Sequence, residues 1–134
     1  MTHNRDAWML KQVLEQPEVY DAILVSADGL VTAHSDGLDR DKADRIAAAL
    51  SGVQSTSSQT AAFCRVTKDA WQQSLVQFKD GFVITIPAGD GAYLAVAASG
   101  SADIAQIGYR MHEVVGQLGG RMNAEPRQDT GNPA

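Results

Sequence analysis

His34 and Asp36 stand one residue apart, a spacing at which an imidazole and a carboxylate can serve as base and orienter. The other parts of a hydrolase do not accompany them. No GxSxG elbow occurs, no third partner stands at motif spacing, and Ser101 reads as a helix cap. Nucleotide chemistry fails on equally plain grounds. A phosphate loop of the form GxxxxGK[ST] needs a Gly-Lys pair, and the chain has none. Gly89 and Gly91 imitate the start of a GxGxxG dinucleotide loop, but Leu94 occupies the third glycine's place, so Gly-Asp-Gly reads as turn chemistry between strands. Asp36, Asp39, Asp41 and Asp44 suggest a calcium loop until its glycine and terminal glutamate are sought and not found. Carboxylates at the positive end of a helix dipole explain them better. His3 and His112 lie far from His34 in sequence, which leaves no histidine metal site, and His112 reads as a solvated position beside an apolar stripe. Cys64 is the only cysteine, so neither an internal disulfide nor a thiolate metal site can form. It closes a run of small residues and is expected to be a small buried hydrophobe. Trp8 and Trp71 are core or interface anchors. No catalytic residue, cofactor or metal is expected.

The elements that would position these residues are legible from periodicity. Trp8, Met9, Val13 and Leu14 predict a short amphipathic helix over residues 5–16, ending before Pro17. Val19 to Ser26 is apolar on both parities, as for an interior strand, and Asp28-Gly29 predicts a hairpin into a second strand from Leu30 to His34. A long helix is expected from about Asp39, with Ala43, Ile46, Ala47, Leu50 and Val53 on its apolar side. Its continuation from Ser51 to Ala62 is almost all small residues, which predicts a helix-to-helix contact surface. Strands follow at 73–78, 82–87 and 92–98, joined by Lys79-Asp80-Gly81 and Gly89-Asp90-Gly91 into an antiparallel meander. Ile104, Ile107, Gly108, Met111, Val114, Val115 and Leu118 then recur at helical spacing, with Ser101 to cap the start and Gly119-Gly120 to stop the end. The order α-β-β-α-β-β-β-α predicts an α/β sandwich: a five-stranded antiparallel sheet, one long helix on one face and two helices on the other. The domain is placed at 1–123, and the proline-bearing tail at 124–134 is expected to be disordered.

Composition narrows the function further. At 134 residues and 44% apolar content the chain suits one packed domain. Its net charge of -5, with no concentration of Lys or Arg, argues against nucleic acid as a partner. The longest apolar run, Ala92 to Ala98, is far short of a membrane span, and the start MTHNRDAWMLKQ has no apolar export core. With one thiol, a cytoplasmic setting is expected.

Two segments, SADGLVTAHSDGLDRDKADRIAAALSGVQS from Ser26 to Ser55 and GDGAYLAVAASGSADIAQIGYRMHEVVGQLG from Gly89 to Gly119, resemble the roadblock/LC7 family, specifically its actinobacterial branch. The resemblance implies a homodimer that aligns its long helix and third strand with those of a twin, so that the two sheets become one. It also implies service beside a small Ras-like GTPase and a sensor-kinase-like protein, with any membrane recruitment made through partners. In some relatives the dimer stimulates GTP hydrolysis by remodelling the GTPase without donating a catalytic side chain. On that reading the interface is expected at Ala47, Leu50, Gln54, Ser57, Val76 and Phe78. The competing class is a small-molecule sensor of the PAS or GAF kind, which needs a hollow with polar groups between sheet and helices.

Overall fold

A computed structural model describes the backbone of residues 7–130, and the side chains of that range other than Trp8, Met9 and 118–130. The expectations for His3, the Trp8 side chain and the last four residues lie outside it. Helix α1 spans Ala7–Leu14 and turns Leu10 and Val13 inward. Strands β1 (Val19–Val25) and β2 (Val31–His34) form the expected hairpin, closed by a 2.8 Å bond from Ser26 N to Leu30 O. Gly29 makes that turn with φ +85, a value that costs a residue with a side chain dearly.

Helix α2 runs from Arg40 to Ser58. Asp39 caps it, its carboxylate accepting from Lys42 N at 2.7 Å, so one carboxylate of the acidic group is accounted for directly. The helix stops short of Ala62 because hydroxyls in its last turns bond back to carbonyls: Thr56 to Gly52 at 2.8 Å, Ser58 to Ser55 at 3.0 Å, Thr60 to Ser57 at 2.6 Å. Such bonds offer the backbone an alternative to the helix. A 3₁₀ turn, Ala61–Cys64, follows, and Arg65 leaves it at φ +69.

Strands β3 (Ser74–Phe78), β4 (Gly81–Pro87) and β5 (Tyr93–Ser99) form the meander. The sheet order is β2-β1-β5-β4-β3, antiparallel throughout, with β3 and β2 at the edges. Helix α3, Ile104–Thr130, is capped by Asp103, which accepts from Gln106 N at 3.1 Å. Ser101, expected to be the cap, instead donates to Glu18 and meets the Ser99 hydroxyl at 3.0 Å. Nor does Gly119-Gly120 end the helix. Glycine terminates a helix by turning left-handed, and a helical glycine costs only about 1 kcal/mol. The boundary placed after residue 123 falls within α3.

The register sorts the side chains into two layers. On one face Ala22, Leu24, Phe82, Ile84, Ile86, Leu94, Val96 and Ala98 meet Leu10 and Val13 of α1 and Ile107, Met111 and Val114 of α3. Each large side chain buried there is worth about 1.5–3 kcal/mol. On the other face Ile23, Val25, Tyr93 and Ala95 meet Ala43, Ala47 and Leu50 of α2. Tyr93 ties that layer together, its hydroxyl lying 2.8 Å from Ala47 O and 2.7 Å from Ser51 Oγ. Burial raises its pKa above the usual 10.0, against the opposing pull of the Ser51 bond.

Because the folded state favours the neutral phenol, Tyr93's contribution is full below its unfolded pKa and is lost as pH rises through the higher folded value. Tyr93→Phe should therefore lower unfolding free energy by about 1–3 kcal/mol at neutral pH, and should flatten the alkaline decline in stability above pH 10.0. Urea titrations of both proteins at neutral and alkaline pH check this; equal midpoints would remove Tyr93 from its tying role.

Candidate interaction surface

Of the polar residues singled out from the sequence, His34, Asp39, Asp44 and Ser101 take part in structural bonds. At the end of β2 the Ser35 hydroxyl donates to Asp21 Oδ1 at 2.7 Å and accepts from Ala22 N at 3.1 Å, while His34 Nδ1 lies 3.0 Å from Ser35 O. These bonds fasten the β2 exit to β1. Asp44 pairs with Arg40 one turn earlier on exposed helix surface, at 3.1 Å. Such a pair contributes little to stability. Among the described residues no group of three His, Cys, Asp or Glu is placed to hold a metal ion. His112 is exposed beside buried Met111. Cys64 is exposed, contrary to the expectation of burial, because the 3₁₀ turn carries it outward, where its thiol bonds only the Ala61 carbonyl at 3.3 Å. Trp71 packs against the α2 layer and donates its indole N–H to Ser74 Oγ at 2.9 Å.

What the molecule presents instead is an unfinished face. On the α2 side of the sheet the register aligns Val76 of β3, Val83 of β4 and Ala97 of β5 in one row. All three are only half-buried, although β4 and β5 are covered on their other face; β3 is exposed on both, with Leu75 and Gln77 open on the α1 and α3 side. At the outer edge Phe78 is 64% exposed and Leu75 43%. An open apolar hollow lies between this row and α2, lined by Ile23, Leu38, Ile46, Val83 and Ala97, with Asp21 as its one ionisable residue. That lining gives a metabolite few hydrogen-bonding groups, which a sensor pocket would need.

The six residues expected at the interface divide accordingly. Ala47 and Leu50 are 0% and 7% exposed and belong to the protomer's own core, which corrects their assignment. Helical spacing from Ala43 through Ala47 and Leu50 aims that stripe at the sheet. Gln54 and Ser57 continue the stripe past the layer and remain half-buried; Val76 is half-buried and Phe78 exposed. Val83, Ala97, Ile46 and Phe63 were not foreseen. Strand pairing sets Val83 beside Val76 and Ala97 beside Val83, and no sequence spacing announces that; Phe63, 94% exposed, carried the weak signal of a large aromatic after a run of small residues. No helix among the described residues is long and apolar enough to cross a membrane.

Comparison with known proteins agrees with this architecture. The family model for the Roadblock/LC7 domain matches residues 6–98. A crystal structure of a Roadblock/LC7 domain from Streptomyces avermitilis is 32% identical, covers 89% of this chain and 98% of its own, and superposes with a TM-score of 0.77. A structure described as MglB with tetrameric arrangement is 18% identical, with 85% of each chain covered and a TM-score of 0.75. MglC from Myxococcus xanthus is 14% identical, with 84% of this chain and 95% of its own covered and a TM-score of 0.58. At such identity the last two show likeness of fold. Among curated proteins no match is found.

The burial of Leu50 changes what a substitution there does. Leu50→Arg should cost the protomer about 3 kcal/mol or more, since it overfills a packed site and places a charge against the core. Denaturant unfolding at several protein concentrations checks this; an unchanged midpoint with a halved sedimentation mass would return Leu50 to the interface.

Proposed function

This chain belongs to the Roadblock/LC7 domain family, and from that premise we propose that it is a homodimeric, non-enzymatic scaffold that binds and regulates a small Ras-like GTPase. Its setting is a bacterial, actinobacterial signalling complex that includes a sensor-kinase-like protein. The protein is cytoplasmic and reaches the membrane periphery through its partners.

The open row Val76, Val83 and Ala97, running out to the unpaired edge strand β3, carries the self-association half of this reading. Natural sheets guard their edges with charge, proline or bulges, and the β3 sequence SLVQF has neither charge nor proline. A twin's β3 laid antiparallel to it satisfies the edge, continues the sheet and brings the two α2 helices together over the open row. The small, exposed residues of α2, Ala48, Ala49, Gly52 and Ser55, let a second backbone come close. The regulatory half rests on family membership. A module of this kind biases its partner's conformation by binding one nucleotide state more tightly than the other.

Sedimentation of the purified chain, alone and with a Ras-like GTPase of the same genome in GDP and GTP-analogue forms, tests both halves. The expected result is a dimer whose mass shifts with one nucleotide state; a monomer that ignores the GTPase would send the reading back to a small-molecule sensor. Phe78→Lys should weaken self-association about tenfold or more while leaving the protomer's melting unchanged, because Phe78 is 64% exposed within it. Equal dissociation constants for variant and parent would take β3 out of the interface.

A further inference from the structure

Phe63 is 94% exposed on a 3₁₀ turn held by bonds from Phe63 N to Thr60 O at 2.9 Å and from Arg65 N to Ala62 O at 3.0 Å. A large aromatic held out in this way exposes apolar surface that a binding partner would remove from water. The hollow between α2 and the sheet has the complementary character: a shallow apolar depression, enclosing about 50 Å³ and otherwise open to solvent, walled by Ile23, Leu38, Ile46, Val83 and Ala97. Its one acidic member is Asp21, whose carboxylate keeps lone pairs beyond the one that accepts from Ser35. Arg65, two residues after Phe63, carries the opposite charge.

We propose that Phe63 of one protomer seats in this hollow of its twin, with Arg65 approaching the twin's Asp21, so that each protomer gives one knob and receives one. The contact rests on the homodimer proposed above and names what completes it. Its occupant is a second copy for three reasons. Knob and hollow occur on the same chain, as a two-fold isologous interface demands. The hollow is continuous with the β3 edge through the paired residues Val83 and Val76. Ile46 lies in the first half of α2 and Phe63 just beyond its end, so two α2 helices crossing antiparallel bring each Phe63 toward the other's Ile46.

Sedimentation equilibrium across a dilution series, with wild type, Phe63→Ser and Ala97→Leu, tests the contact, and thermal melts follow the protomer itself. Phe63→Ser removes the knob, and Ala97→Leu fills the hollow with the chain's own side chain. Each should weaken dimerisation about thirtyfold, the effect of losing an aromatic anchor, while Phe63→Ser melts as wild type does under monomeric conditions. A wild-type dimer whose Phe63→Ser variant associates equally tightly overturns the contact and leaves the dimer standing. A wild-type chain that stays monomeric throughout overturns the dimer and the contact with it.

Discussion

The structure depends on a mismatch of widths. Five strands about 4.8 Å apart make a sheet roughly 20–24 Å across, whereas a helix with its side chains is about 10–12 Å wide. Two helices cover most of such a face, and α1 with α3 cover all of it but the edge strand β3, where Leu75 and Gln77 stay exposed. One helix covers about half, and α2 is the only long helix on the other side among the described residues. It must therefore choose which strands to cover, and the Tyr93 hydroxyl holds it over β1, β5 and β2 by bonding Ala47 O and Ser51 Oγ. The half-buried row on β3 and β4, the hollow beside Ile46 and the bare edge at Phe78 all follow from that choice.

The sequence announced the strands and both large helices because their patterns answer to local rules. VYDAILV and YLAVAAS are apolar on both parities since they sit at the centre of the sheet, and the α3 stripe shows one face of a helix buried against it. The unfinished face was half legible. Val76 and Phe78 were readable as apolar residues of an outer strand, but the row they share with Val83 and Ala97 exists only once the register is known. Ala47 and Leu50 show the limit from the other side: periodicity tells that a stripe is buried and is silent on whether its own sheet or a twin buries it. Ser101 and Cys64 depart from the sequence pattern for a more local reason. Asp103 stands nearer the first helical turn than Ser101 and takes the cap, and a 3₁₀ turn in place of another helical turn swings Cys64 into water.

Helix α2 is an unusual element to rest such weight on. Its second half is rich in Ser, Thr and Gly, which lose to Ala or Leu in helix propensity and compete for backbone bonds through their hydroxyls. Propensity does not hold it; the Asp39 cap, the buried stripe and the Tyr93 bonds do. The same small residues that weaken the helix leave its outer surface low enough for another backbone to approach, so what is poor for the isolated helix is good for packing against a second one.

The two faces thus carry different kinds of work. The closed face joins fifteen buried residues from both helices and the sheet into one core, a sufficient reason for the protomer to fold alone. The open face adds a smaller cluster and leaves apolar surface in water. Here the largest cluster is closed and the smaller one is open, so the apolar surface left in water lies on the face that adds less to the protomer's own core.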